Sequence, residues 1–347
     1  MRTSPTSADA EASTARTTPP ASSLLGIFRD LGLTAFKVLA GFIFALAVPT
    51  AIHFPYQVDD LGSPKVRADA GAFYTGIYSA TATVALIAKQ EPSVGTPAVS
   101  TYESDYVKIA RASIASERIV PKLTAFAEKY GLANKRVLDV GAGTGYLQDV
   151  VPNYVGLDIS GSSRRYFHKP FVQASATEMP FRDNEFDAAW SVWVLEHVPK
   201  PEQALVEIRR VVKDGGLLYL KPAWDCPWWY AQGYAVRPYS DLDLTGKLRK
   251  ASLNVLASPY YRGAILFPTR AVRQMQANWS GKPTRFHYRL LQPNYEKYWT
   301  ADSDAVNQLD YYEMLLWFTS RGDECLNCAA DPRWDMTELI LRVHKQP

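Results

Sequence analysis

Three glycines at alternate positions follow an acidic strand end in Asp139-Val140-Gly141-Ala142-Gly143-Thr144-Gly145. Spacing of this kind lets a ligand approach bare backbone. What the loop lacks narrows the ligand. A mononucleotide loop needs a lysine and a hydroxyl residue straight after its glycines; here Tyr146-Leu147-Gln148 follow. A dinucleotide fingerprint places its third glycine five positions after the first, where this chain has Tyr146, whose bulk opposes close helix–strand packing. Asp158 closes Tyr-Val-Gly-Leu-Asp 19 residues after Asp139, near the interval of about 20 residues at which an acid meets ribose hydroxyls. A carboxylate accepts both hydrogen bonds of a vicinal diol. The pattern therefore describes a ligand with ribose but no phosphate.

Such a loop must sit at the end of a strand. From residue 136, short apolar runs (RVLDV, YVGLD, PFVQA, FDAAWSV and GLLYLKP) alternate with helical stretches. This alternation predicts an α/β fold with a doubly wound, mostly parallel sheet, binding its ligand beyond the carboxyl ends of the strands. In PEQALVEIRRVVKDGG, Ala204, Ile208 and Val211 or Val212 mark one helical face, and Gly215-Gly216 are expected to end the helix. Upstream, Leu123, Phe126 and Tyr130 recur at helical spacing, with Pro121 expected to divide that region into two helices.

The runs VLDVGAGTG, GLDIS and ATEMPFRDNEFDAAWSVWVLEHVPKPEQALVEIRRVVKDGG resemble class I S-adenosylmethionine-dependent methyltransferases, in particular the type-11 methyltransferase domain family, which includes quinone-biosynthesis enzymes. The resemblance is close over residues 105–222 and looser to residue 347. It rests on the glycine loop together with Met179-Pro180-Phe181, Phe186-Asp187, LEHV and the paired glycines before the fifth strand. It implies a Rossmann-like sheet whose last strand, in Met336–Lys345, is antiparallel, and S-adenosyl-L-methionine as cofactor. Asp139, Gly141, Gly143 and Gly145 would lie against the methionine part, Asp158 on the ribose diol and Ile159 on the adenine. Ser175, Ala176 and Thr177 would meet the adenine edge, and Ser191 and Trp193 the methionine side. One position departs from the family: many relatives have Asp-Ala where this chain has Ser175-Ala176. Replacing a charged hydrogen bond by a neutral one costs roughly 1 kcal/mol of cofactor binding.

Methyl transfer from a sulfonium is an in-line displacement, so the protein mainly positions and desolvates the nucleophile. A base is needed only for a hydroxyl or similar acid. His197 in LEHV is the nearest candidate, though a histidine packing the following helix fits as well; Glu196 reads as a positioning residue. A catalytically inactive methyltransferase-fold partner protein is the alternative reading, with Ser175 as its support. A nicotinamide oxidoreductase is disfavoured by Tyr146.

After Pro222 the chain is rich in aromatics: Trp224, Trp228, Trp229, Tyr230, Tyr234 and Tyr239. A helical cap inserted at about residues 223–300 accounts for them, its aromatics either packing on the sheet edge or forming an acceptor pocket. In the pocket reading Trp224, Asp225, Trp228, His287 and Asp302 are the candidate substrate residues, with Asp304 nearby. Aromatic platforms with acids suit a glycan, a polyprenyl-linked glycoconjugate or a quinone, whether small-molecule or lipid-linked. No metal-ligand set is legible: Cys325 and Cys328 form one CxxC, Cys226 is distant, and a structural zinc takes four ligands. Three reduced thiols are expected, as in a cytosolic protein.

The 347 residues are enough for more than one ordinary domain, and a net charge of +3 is too small to argue for nucleic acid, so no nucleic-acid partner is expected. The clusters Arg164–Arg165 and Lys247–Arg249–Lys250 read as solvated surface. Residues 1–23 are Ser/Thr/Ala/Pro-rich and expected to be disordered. Residues 24–90 hold two apolar segments: Leu31–Ile52, whose only charge is Lys37, and the uncharged Ala70–Ala88. A membrane anchor or helical hairpin, helices packed on the protein, and a cleaved signal peptide all remain open. The first keeps the glycine loop cytoplasmic, with the chain on the cytoplasmic face of a membrane. Residues 91–104 read as a linker and residues 105–347 as the methyltransferase domain.

Overall fold

The computed structural model describes residues 29–42, 45, 57–59, 111–294, 298, 302–328 and 337–345. The segments 1–23, 70–88 and 91–104 lie outside the described residues. Residues 29–42, which run into the first apolar segment, are helical, and Leu31, Phe36, Val38 and Phe42 are exposed. Among the described residues no helix is long and apolar enough to cross a membrane.

A seven-stranded sheet organises the rest. Its strands are β1 (Val137–Val140), β2 (Tyr154–Asp158), β3 (Phe171–Gln173), β4 (Phe186–Val192), β5 (Val212–Lys221), β8 (Glu324–Cys325) and β9 (Leu339–Arg342), in the order β3-β2-β1-β4-β5-β9-β8. The first five are parallel, and β9 runs antiparallel to both β5 and β8. All five expected strands form, and the last strand, expected in Met336–Lys345, is antiparallel as the resemblance implies. Alternation along each strand feeds two cores. Leu138, Val140, Leu157, Leu218 and Leu220 pack with Leu205 and Ile208 of α2 (Pro201–Val211). Val137, Ala188, Trp190, Leu217 and Tyr219 pack with Leu123 and Phe126 of α1 (Ile119–Lys129). Apolar contacts on both faces explain the nearly unbroken apolar runs.

Two expected boundaries move. The break before α1 lies at Glu117–Arg118, with Arg118 left-handed, and Pro121 sits inside the first turn of α1. Proline is tolerated there because first-turn amides have no helical acceptor. The helix α2 ends at Val211 rather than at Gly215-Gly216. Val212 already pairs with Phe186, the register then shifts, and Leu217 pairs with Ala188. Residues 213–216 are thus an irregularity in β5, which Gly215 makes possible with φ 72°.

Beyond β5 come α3 (Trp228–Ala231), α4 (Leu244–Leu256), α5 (Pro259–Ser280) and α6 (Tyr311–Thr319), with a small β6–β7 pair (Arg289–Leu290, Asn307–Gln308). The side chains of Asp243, Ser258 and Asp310 cap α4, α5 and α6. Arg270 of α5 is joined to Asp310 by two hydrogen bonds of 2.7 and 3.0 Å, and Arg273 to Glu313 by two of 2.7 and 3.0 Å. The expectation of three reduced thiols is corrected at one pair. The chain turns back after β8, bringing the Cα atoms of Cys325 and Cys328 to 5.6 Å, and the two sulfurs are bonded. Cys226 is free and buried.

Candidate functional site

The sheet order reverses between β1 and β4, where a crevice opens at the carboxyl edge of an α/β sheet. The glycine loop occupies this point. Gly141, Gly143 and Gly145 all have positive φ, of 76°, 52° and 72°. At Gly141 space is limiting as well: a Cβ would come within 2.2 Å of the Val194 side chain, in the turn after β4. The amides of Gly141 and Ala142 donate to the Leu157 carbonyl, which fastens the loop to β2.

Asp158 completes the cradle. Its Oδ2 accepts from Gly143 N–H at 2.8 Å and its Oδ1 from Ser160 N–H at 2.9 Å. Burial raises its pKa, with the backbone hydrogen bonds opposing. Asp139 lies deeper, 2 % exposed, and Oδ2 accepts from the Tyr154 hydroxyl at 2.7 Å. Burial pushes its pKa up to about 7. Ile159 is half-buried beside Asp158. After β3, the Ser175 hydroxyl lies 2.8 Å from that of Thr177 and accepts from the Thr177 amide, with Ala176 buried between them. Two buried hydroxyls, Thr144 Oγ1 in the loop and Ser191 Oγ in β4, have no hydrogen-bond partner.

Beside this edge is a cavity of about 1130 Å³. It begins at Trp193 and Lys221, the ends of β4 and β5, and extends between α5 and α6. Of the expected acceptor residues, Trp224, Asp225 and Asp302 line it; Trp228 and His287 do not. Trp228 packs against Trp229 and Tyr234. His287 is near Arg273 and Arg285; burial and these two charges bring its pKa down to about 4. Three wall residues, Trp193, Asp225 and Asp302, hold left-handed backbone at φ 55°, 56° and 63°, a conformation non-glycine residues keep only where surrounding structure imposes it.

The sequence reading passed over several wall residues. Arg262 donates to Asp225 at 2.7 Å, Lys221 pairs with Glu117 at 2.8 Å, and Arg270, Tyr311 and Tyr312 complete the α5–α6 side. Burial, reinforced by Asp310, pushes the Asp225 pKa up to about 6 against the pull of Arg262 and Arg270. Lys221 carried a signal in the sequence, a lysine ending the apolar run GLLYL; the α5 residues carried none.

Between cradle and cavity, the turn Leu195–His197 follows β4. Its Glu196 is fully buried: Oε1 accepts from Ala223 N–H at 3.0 Å and Oε2 has no hydrogen-bond partner. Burial pushes its pKa up to about 7. His197 Nε2 is 3.8 Å from Glu196 Oε1, and Nδ1 is 3.9 Å from Asp304 Oδ2. Burial pulls the imidazole down, but Asp304, Glu196 and Asp302 outweigh it and hold it above its ordinary pKa. A histidine so held favours the protonated form, which weakens it as a base.

The profile of the methyltransferase domain family matches residues 138–220, the span from β1 through β5. A demethylmenaquinone methyltransferase of Renibacterium salmoninarum is 41 % identical over 93 residues, covering 24 % of this chain and 39 % of that protein. A ubiquinone biosynthesis O-methyltransferase of Dechloromonas aromatica is 36 % identical over 106 residues, covering 26 % of this chain and 44 % of that protein. A crystal structure of a SAM-dependent methyltransferase from Aquifex aeolicus aligns with a TM-score of 0.27 and 22 % identity, covering 30 % of this chain and 65 % of that one. The chain spans about two fifths of the length of the curated relatives it matches.

Proposed function

We propose, from the premise that residues 138–220 form a class I S-adenosylmethionine-dependent methyltransferase domain of the type-11 family, that this chain transfers a methyl group to an acceptor seated in the α5–α6 cavity. The family implies S-adenosyl-L-methionine as the cofactor, and the cradle fits it. Asp158 keeps accepting capacity for a diol beyond its two backbone bonds, and the partnerless hydroxyls of Thr144 and Ser191 offer further polar contacts at the loop and at β4. When bound, the cofactor supplies an electrophilic methyl group on a sulfonium. The observation that carries the reading is the cavity's position: it starts at Trp193 and Lys221, the strand ends next to the cradle. Trp193 and the α5–α6 aromatics would exclude water and orient the acceptor.

The acceptor we favour is amphipathic: a glycan, a polyprenyl-linked glycoconjugate or a quinone. Polar groups at Asp225, Arg262 and Asp302 suit a hydroxylated head, and Leu266, Phe267 and Met275 of α5 suit an apolar body. Two of the relatives are quinone-pathway methyltransferases by name. We read α3–α5 as a cap over the cofactor edge. The test incubates cell extract and the full chain with isotope-labelled S-adenosylmethionine and follows the label by mass spectrometry. Label in the lipid fraction is the expected result. Label confined to free soluble metabolites would overturn the amphipathic acceptor, and no cofactor binding by calorimetry would overturn the enzyme reading.

A further inference from the structure

We propose that Glu196, His197 and Asp302 bind one divalent first-row metal ion at the cavity wall. One ligand atom from each lies within 4.8 Å of the other two. Metal–ligand bonds of about 2.0–2.2 Å place the donors of one ion roughly 3–4 Å apart, so a small closing movement completes the set. Glu196 and His197 are neighbours in the chain, and distant Asp302 reaches them through backbone: the loop at 302–306 crosses the Leu195–His197 turn, Val306 N–H donating to the Glu196 carbonyl at 3.0 Å.

A bland ion-pair cluster accounts for part of this arrangement. His197 lies between the carboxylates of Glu196 and Asp304, and an imidazolium there would partly neutralise them. It leaves Glu196 unexplained. This side chain is 0 % exposed, yet Oε2 has no hydrogen-bond partner. A buried carboxylate oxygen without a partner is unfavourable, and a cation beside it removes that cost. Asp302 adds direction, because it also lines the cavity. An ion held by the three residues would face the cavity with a coordination position left for a small ligand oxygen. One imidazole and two carboxylates form a mixed donor set suited to Zn²⁺, Fe²⁺ or Mn²⁺ rather than to Cu⁺, which prefers sulfur. If the methyl-transfer reading holds, that ligand is an acceptor oxygen, oriented and made more acidic by the ion; this part alone rests on that reading.

The experiment uses the full chain, stripped with chelator and dialysed, and titrated with Mn²⁺ alone under electron paramagnetic resonance. Mn²⁺ is chosen because it binds thiolates poorly, which sets Cys226 aside. One saturable ion per chain is expected. Asp302→Asn and His197→Ala should each weaken it by about tenfold or more, since even outer-shell changes cost about 10–100-fold in metal affinity. Glu196→Gln is the third variant; if its burial compromises folding, Asp302→Asn on the cavity wall still decides. No saturable binding, or binding unchanged in Asp302→Asn and His197→Ala, would overturn the site. Calorimetry with S-adenosylmethionine on the same sample is independent, so loss of the metal site and loss of the methyltransferase reading are separable results.

Discussion

At the scale of single residues, Asp158 does two things at once. Its two oxygens hold the amides of Gly143 and Ser160, so it shapes the cradle from within, and in the function proposed above it also takes the ribose diol. Asp158→Ala removes charged hydrogen bonds worth about 1.5–3 kcal/mol each. S-adenosylmethionine affinity by calorimetry should therefore fall about 10–100-fold, and an unchanged affinity would mean the loop has been misread. Asp139 makes a different prediction. Burial raises its pKa from 3.8 to about 7 in the folded chain, so the folded state holds a proton that the unfolded state releases near pH 4. Its contribution to stability is full below about pH 4, is lost as pH rises towards 7, and is flat above. Asp139→Asn cannot titrate, so urea melts should show a shallower fall in stability between pH 4 and 7 than in the unmutated chain. An identical pH slope in both would show that Asp139 ionises freely.

At the scale of elements, the cavity exists because α5 and α6 are held apart and tied together by ions rather than by a continuous apolar seam. Arg270 is 7 % exposed and bonded through both Nε and Nη2 to Asp310, which also caps α6. Arg270→Ala would leave a buried carboxylate without its partner, a change worth about 3–5 kcal/mol. Denaturant unfolding should lose that amount, and Arg270→Met, which keeps the packing volume, should lose no less than the charge contributes. The sheet was legible in the sequence and this pair of helices was not. Runs such as VLDV and YVGLD declare themselves because a strand buried on both faces is apolar at nearly every position and is bounded by polar or glycine residues. Val211-Val212 reads equally as the end of a helix or the start of a strand, and only the pairing of Val212 with Phe186 decides. The glycine cradle could be read because its conformation is a local demand on residue type. Glu196 and Asp302 could not be joined on paper, since a distance through space between two turns is set by packing. Trp228 and His287 failed to reach the cavity for a related reason: aromatic composition marks an apolar face without saying which side of it is empty.

At the scale of the whole molecule, apolar surface is distributed unevenly. Tyr260 and Trp279, near opposite ends of α5, are 87 % and 89 % exposed, and Phe267, Val272 and Met275 of the same helix are exposed as well. The helical residues 29–42 also present Leu31, Phe36, Val38 and Phe42 to solvent. Together with the amphipathic acceptor proposed above, this favours work at a lipid surface, where aromatic side chains settle at the headgroup level. The full chain should sediment with phospholipid vesicles, and a Tyr260→Ser/Trp279→Ser double variant should sediment less while binding S-adenosylmethionine unchanged. Full recovery in the supernatant would count against it. A short stretch upstream adds a constraint of its own. Gln57 pairs with Tyr288, and Asp59 accepts from Gln203 N–H at 2.8 Å, so residues 57–59 are clamped to the domain. Only 57 − 42 = 15 peptide steps separate that clamp from the helical residues 29–42, and at most about 3.6 Å per step gives a leash of roughly 50 Å. Were the leading helix to rest on a surface, the domain would stay within that radius of it, and a molecule embedded in the same surface would meet the cavity at an effective concentration set by the chain length rather than by the bulk solution.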